Sequence, residues 1–95
     1  MSQRDRKDIR GSLTSKGFIE ENNDHYFYKF IYKNKETSIF TKLSKGSKYK
    51  TLDQSLLSQM SRQLKLSNRQ FLDFVDCDLN GEKYIQILRD KKFIR

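Results

Sequence analysis

The chain has no proline, a single histidine and a single cysteine. Cys77 alone cannot form an internal disulfide or a cysteine-based zinc site, which fits a reducing compartment. Long apolar runs are missing too: the longest, Tyr26-Phe27-Tyr28 and Phe30-Ile31-Tyr32, fall far short of the ~20 residues a membrane helix needs. Residues 1–5 carry no hydrophobic signal region. The expectation is a cytoplasmic protein with no membrane partner. Without proline, internal repeat or low-complexity linker, nothing divides the chain, so 1–95 reads as a single domain. Acidic residues are absent from Thr37 to Leu52, a stretch that holds Lys42, Lys45, Lys48 and Lys50.

What is present is positive charge and aromatic rings. Twenty Lys and Arg against twelve Asp and Glu leave a formal net charge of +8. Such an excess favours phosphate-rich partners through counterion release, although charge alone admits nucleic acid, an anionic membrane or an acidic protein. Seven Phe and five Tyr, recurring at regular intervals, promise a small aromatic core. A domain of this size buries roughly 60–70% of the surface its unfolded chain exposes.

Ile9 and Leu13, four apart and followed by Gly17, predict an amphipathic helix over 5–16 with a glycine stop. Phe18 and Ile19 open an extended segment. Asn22-Asn23-Asp24 is turn chemistry, and aromatic density predicts a strand over 25–33. Lys33-Asn34-Lys35-Glu36 is a hairpin candidate, with a returning strand over 36–43. Ser44 to Lys50 is a small-residue loop whose charges are all positive. Leu56, Leu57, Met60 and Leu64 mark a helix over about 53–64, and Ser67 with Gln70 is a capping-box signature for another. Asn80-Gly81 separates that helix from a last one carrying Tyr84, Ile85 and Leu88. The order gives an α+β domain whose antiparallel three-stranded sheet has helices on one face, leaving the other open for function. Alternation puts His25, Phe27, Lys29 and Ile31 on one side of the middle strand and Tyr26, Tyr28, Phe30 and Tyr32 on the other. Rings on both sides leave the buried side undecided.

Ile9, Leu13, Gly17-Phe18, a histidine opening an aromatic strand, Thr51-Leu52, and Gln63-Leu64-Lys65-Leu66-Ser67 running into Phe71-Leu72 together resemble the HicA family of toxins. The resemblance covers roughly residues 5–75, with 79–95 as a C-terminal helical extension. It implies a fold like the double-stranded-RNA-binding domain (dsRBD-like), α-β-β-β-α with extra C-terminal helices. It also implies a type II toxin-antitoxin toxin: a metal- and cofactor-independent mRNA endoribonuclease, a hydrolase neutralised by a HicB-like antitoxin. His25 matches the essential histidine of that family. Where the family has Gly-Ser before that histidine this chain has Asn23-Asp24, and where many members have a second histidine it has Thr41-Lys42-Leu43-Ser44.

Cleaving RNA without a metal needs a base for the ribose 2′-hydroxyl proton, an acid for the leaving 5′-oxygen and cations for the phosphate charge. Imidazole, with an ordinary pKa of about 6.5, suits either proton-transfer role. A lone strand histidine is otherwise a packed or surface ring, and Asp24 is a turn residue before it is an orienting one. Lys42, Lys48 and Tyr26 are the candidates for a second group. Lys42, Lys45, Lys48 and Lys50 are the candidate RNA contacts, assisted by backbone N–H groups around Gly46; Asp53, placed to cap the next helix, competes for N–H groups there. The aromatic side 26, 28, 30 and 32 stacks bases or packs the core. Asp73, Asp76 and Asp78 show no metal-ligand spacing and read as a solvated helix end. Two alternatives stand beside the nuclease: a noncatalytic RNA-binding module on the same fold, and a basic domain that binds an acidic protein.

Overall fold

The computed structural model describes residues 3–94. A two-residue strand β1 (Arg4–Asp5) leads into helix α1 (Arg6–Ser15), then strands β2 (Phe18–Asn22), β3 (Tyr26–Tyr32) and β4 (Lys35–Leu43). A 3₁₀ turn (Ser47–Tyr49) and a second two-residue strand β5 (Thr51–Leu52) precede helices α2 (Gln54–Gln63), α3 (Asn68–Val75) and α4 (Gly81–Asp90). The protein is therefore α+β, with the antiparallel sheet β2-β3-β4 and four helices among the described residues.

Local chemistry explains most boundaries. Gly17 ends α1 at φ +100°, and a Cβ there would also come within 3.0 Å of the Phe30 ring, so both conformation and space require glycine. The β3–β4 turn is tighter than the four residues expected: only Lys33 (φ 53°) and Asn34 (φ 65°) form it, and Lys35 already pairs with Tyr32. Two consecutive positive φ values match the right-handed twist of the flanking strands. Asp53 caps α2 by accepting from Leu56 N at 3.1 Å, and the Ser67–Gln70 capping box is present in full. Asn80 caps α4 by accepting from Lys83 N at 2.8 Å, so the Asn-Gly pair starts a helix as well as separating two.

The short β1–β5 ladder was not legible in the sequence, because two residues cannot display a period. It ties the N-terminus across the basic loop, with Arg6 N donating to Lys50 O at 2.7 Å.

Which side of β3 is buried is settled by its partners. Tyr28 pairs with Glu20 and Thr41, and Phe30 pairs with Phe18, so the 28/30 side meets Phe18, Ile39, Thr41 and Leu43 under the helices. Between Lys29↔Phe40 and Ile31↔Glu36 the three residues 37–39 oppose one, and Thr37 fills the bulge by donating from Oγ1 to Phe30 O at 2.8 Å. Because two extra residues are inserted, β4 keeps its facing on both sides of the bulge. On the opposite face Ile19 and Phe40 stay 55% and 50% exposed around Lys29, which pairs with Glu21 at 3.0 Å.

Phe18, Phe30, Phe74 and Tyr84 form the centre of the core, with ring centroids 5.1–6.2 Å apart. Tyr84 and Leu88 bring α4 into the same cluster as Ile9 and Leu13 of α1, so the C-terminal helix completes the core. Asp76 is not simply solvated: Arg4 Nε and Nη2 donate to its two oxygens at 2.8 and 2.7 Å, clasping the N-terminus to the end of α3. No helix among the described residues is long and apolar enough to cross a membrane.

Candidate functional site

His25 stands at the end of the β2–β3 turn, where Asn23 N donates to its carbonyl at 3.1 Å. Its half-buried ring meets Phe27 edge-on at 6.2 Å. The imidazole has no hydrogen-bond partner among the described residues, and Asp24 does not orient it. His25 lines a pocket of about 120 Å³ together with Lys42, Leu43 and Ser44 from the end of β4, Tyr49 and Leu52 from the loop, and Leu56, Gln59, Met60 and Gln63 from α2. The pocket therefore lies at the seam between the sheet's end and α2, beside the open face rather than on it.

The floor is apolar because Leu43, Leu52 and Met60 belong to the core. Its rim is polar. Gln59 and Gln63 are one helical turn apart and so share a face of α2. Gln63 Oε1 accepts from the buried Thr41 hydroxyl at 2.6 Å, which fixes its carboxamide. Tyr49 is seated over Gly46, where an added Cβ would come within 3.2 Å of its ring. No carboxylate lines the pocket.

The four candidate lysines do not act as one patch. Lys42 shares the pocket with His25. Lys45 turns back to the β2–β3 turn, where Nζ donates to Asn22 Oδ1 and Asn23 O and lies 5.1 Å from the Tyr26 ring centroid. Lys48 sits 5.3 Å over Tyr49. Lys50 lines a separate groove of about 350 Å³ with Asp5, Arg6, Lys7, Arg10 and Thr51. Tyr26, a candidate second group, faces away from His25 and carries Arg10 at 3.9 Å over its ring.

Sequence reasoning missed the arginines of α1. Arg6 donates to Ser44 O at 2.7 Å and Gly46 O at 3.0 Å, bracing the basic loop without neutralising its own charge. Arg10 is committed: Nε and Nη2 grip Glu20 at 3.2 and 3.0 Å, and Nε also donates to Tyr28 Oη at 3.1 Å. Tyr28 in turn donates to Glu20 Oε2 at 2.5 Å. The bond from Arg10, then that from Tyr28, holds the Glu20 carboxyl below its ordinary 4.5, while burial first and Glu20 second push the Tyr28 phenol up. The i, i+4 spacing of Arg6 and Arg10, and of Gln59 and Gln63, was the signal available in the sequence for these residues.

The arrangement offers an imidazole and an ammonium lining one cavity without negative charge, and a separate groove in which Arg6, Lys7, Arg10 and Lys50 outnumber Asp5. Among the described residues no cluster of three or more His, Cys, Asp or Glu is placed to hold a metal ion. No protein-family model, curated protein or solved structure matches this chain.

Proposed function

We propose that this chain is a HicA-like, RNA-directed endoribonuclease on a dsRBD-like fold, acting in the cytoplasm as the toxin of a type II toxin-antitoxin pair, with mRNA as substrate and a HicB-like antitoxin as partner. The observation that carries the reading is that His25 and Lys42, far apart in sequence, line one pocket from which carboxylates are excluded. His25 serves either as the base that takes the 2′-hydroxyl proton while the 2′-oxygen bonds to the adjacent phosphorus, or as the acid that protonates the 5′-oxygen as its bond to phosphorus breaks. Water takes the other role, and Lys42 stabilises the charge that gathers on the phosphate oxygens. Lys48, Lys50, Lys7 and Arg6 supply sequence-independent contacts to the RNA backbone beside it. Lys45, tied to Asn22 and Asn23, positions the turn that carries His25.

His25→Ala tests this directly. RNA degradation should fall by at least ~10²-fold, the scale of a lost proton-transfer group, and growth arrest on expression should disappear while RNA binding stays within about twofold. Wild type and variant leaving RNA equally intact would sink the nuclease. The unoriented imidazole favours a second reading, a noncatalytic RNA-binding module on the same fold. Under it both proteins bind RNA with an affinity that drops steeply with salt, and neither cleaves.

A further inference from the structure

We infer that the pocket beside His25 is a receptor for a single unpaired nucleobase, so that the protein engages single-stranded rather than duplex RNA; this rests on the RNA-directed reading and assigns its substrate class. Three observations converge on it. The first is size. At about 120 Å³ the cavity lies well below the roughly 300 Å³ where pockets for drug-sized molecules begin. It takes one planar ring system and leaves the rest of a ligand outside.

The second is the chemistry of the rim. Thr41 is wholly buried, and its hydroxyl commits Gln63 Oε1 at 2.6 Å, so the Gln63 amide nitrogen keeps both hydrogens for a ligand. A fixed carboxamide donor matches the acceptor edge of a base, a carbonyl oxygen or ring nitrogen. Gln59, one turn earlier and without a side-chain partner among the described residues, adds an amide that can present either polarity. Tyr49, half-buried against Gly46 and with Lys48 Nζ 5.3 Å over its ring, adds an aromatic side chain to the lining, and aromatic rings are a common device for holding a splayed base.

The third is what surrounds the mouth. An apolar side chain from a protein partner would satisfy the leucine and methionine floor but leave the Gln63 donors unmatched. A base satisfies both, and its attached phosphates run toward Lys42 with no carboxylate in the lining to repel them. A paired base has its edge engaged and cannot enter. Seating one base here places its ribose and phosphate next to His25, where an in-line attack needs an unconstrained strand.

The test uses the full chain and an uncleavable 2′-O-methyl octamer, presented alone, annealed to its complement, and in versions with one abasic position at a time. The single strand should bind at least ~10-fold more tightly than the duplex, and Tyr49→Ala should remove about tenfold of single-strand affinity, within the range of one lost stacking contact, with duplex affinity unchanged. Gln63→Glu keeps the acceptor for Thr41 and removes the donors. Its loss on the intact strand should exceed its loss on one abasic strand, a coupling that separates base recognition from added charge. Both variants are first shown to melt with wild-type cooperativity, and Gln63→Glu decides the matter if Tyr49→Ala does not fold. Duplex and single strand bound equally, or the same Gln63→Glu loss on every abasic strand, overturns the pocket and leaves the RNA-directed reading standing. No RNA binding at low salt overturns both. Coupled binding without cleavage of unmodified RNA upholds the pocket and removes the nuclease.

Discussion

At one end of β3, Phe18, Phe30, Phe74 and Tyr84 close on each other with centroids within 6.2 Å, and the one buried phenol among them donates to Leu64 O at 2.9 Å. At the other end His25, Lys42, Tyr49, Gln59 and Gln63 surround an open space of about 120 Å³ and leave donors unspent. Both ends are built from similar residue types, rings and amphipathic polar groups. The difference is whether the polar atoms are satisfied inside the protein. Where they are, the region supplies stability; where they are not, it is available to a ligand.

Substitutions at the two ends should therefore separate stability from function. The largest loss is expected for Phe74→Ala, which empties the centre of the packed end and should cost about 3–5 kcal/mol in urea unfolding. Glu20→Ala strips Arg10 and Tyr28 of their acceptor and should cost about 1–3 kcal/mol by the same measurement. A cost below about 0.5 kcal/mol would mean that this half-buried triad is no part of the stable half.

The Glu20 triad also predicts an acid response. Hydrogen bonds hold Glu20 below its ordinary 4.5, and the Arg4 hydrogen bonds hold Asp76 below 3.8. A depressed folded-state value contributes stability that is complete above the ordinary value and is lost as pH falls through the lowered one. Urea midpoints should thus be flat at neutral pH and decline below about pH 4.5, with a shallower decline in Glu20→Gln.

Tyr84→Phe, which leaves Leu64 O without its donor, should cost about 1 kcal/mol. Smallest of all, His25→Ala and Lys42→Ala should shift stability by no more than about 0.5 kcal/mol, although they stand at the centre of the proposed site. If instead they destabilise the fold as much as Glu20→Ala does, the contrast between the two ends collapses.

The helices were legible from periodicity and caps: Ile9 and Leu13, Asp53, Ser67 with Gln70, and Asn80 each mark an element where it occurs. The core aromatic residues were legible as residues but not as a side, since Phe27 and Tyr28 are equally apolar by type and only the pairing of Tyr28 with Glu20 and Thr41 assigns it inward. Of the residues that line the pocket, His25 and Lys42 were singled out in the sequence. Tyr49, Gln59 and Gln63 escaped because the i, i+4 spacing of the two amides is shared by any polar helix face, and a loop tyrosine has no spacing at all, until a sheet end is brought against them.

Local order, element type and the excess of positive charge were determined by the sequence alone, because they depend on neighbours within a few residues or on a sum over all of them. Only the tertiary structure decided which cations are consumed and which are left. Arg10 is spent on Glu20 and Lys45 is tied to the Asn22-Asn23 turn, while Lys42 lines the pocket that His25 also lines. Those outcomes turn on contacts between residues distant in the chain, and a charge carries no mark in the sequence of the partner that folding will bring to it.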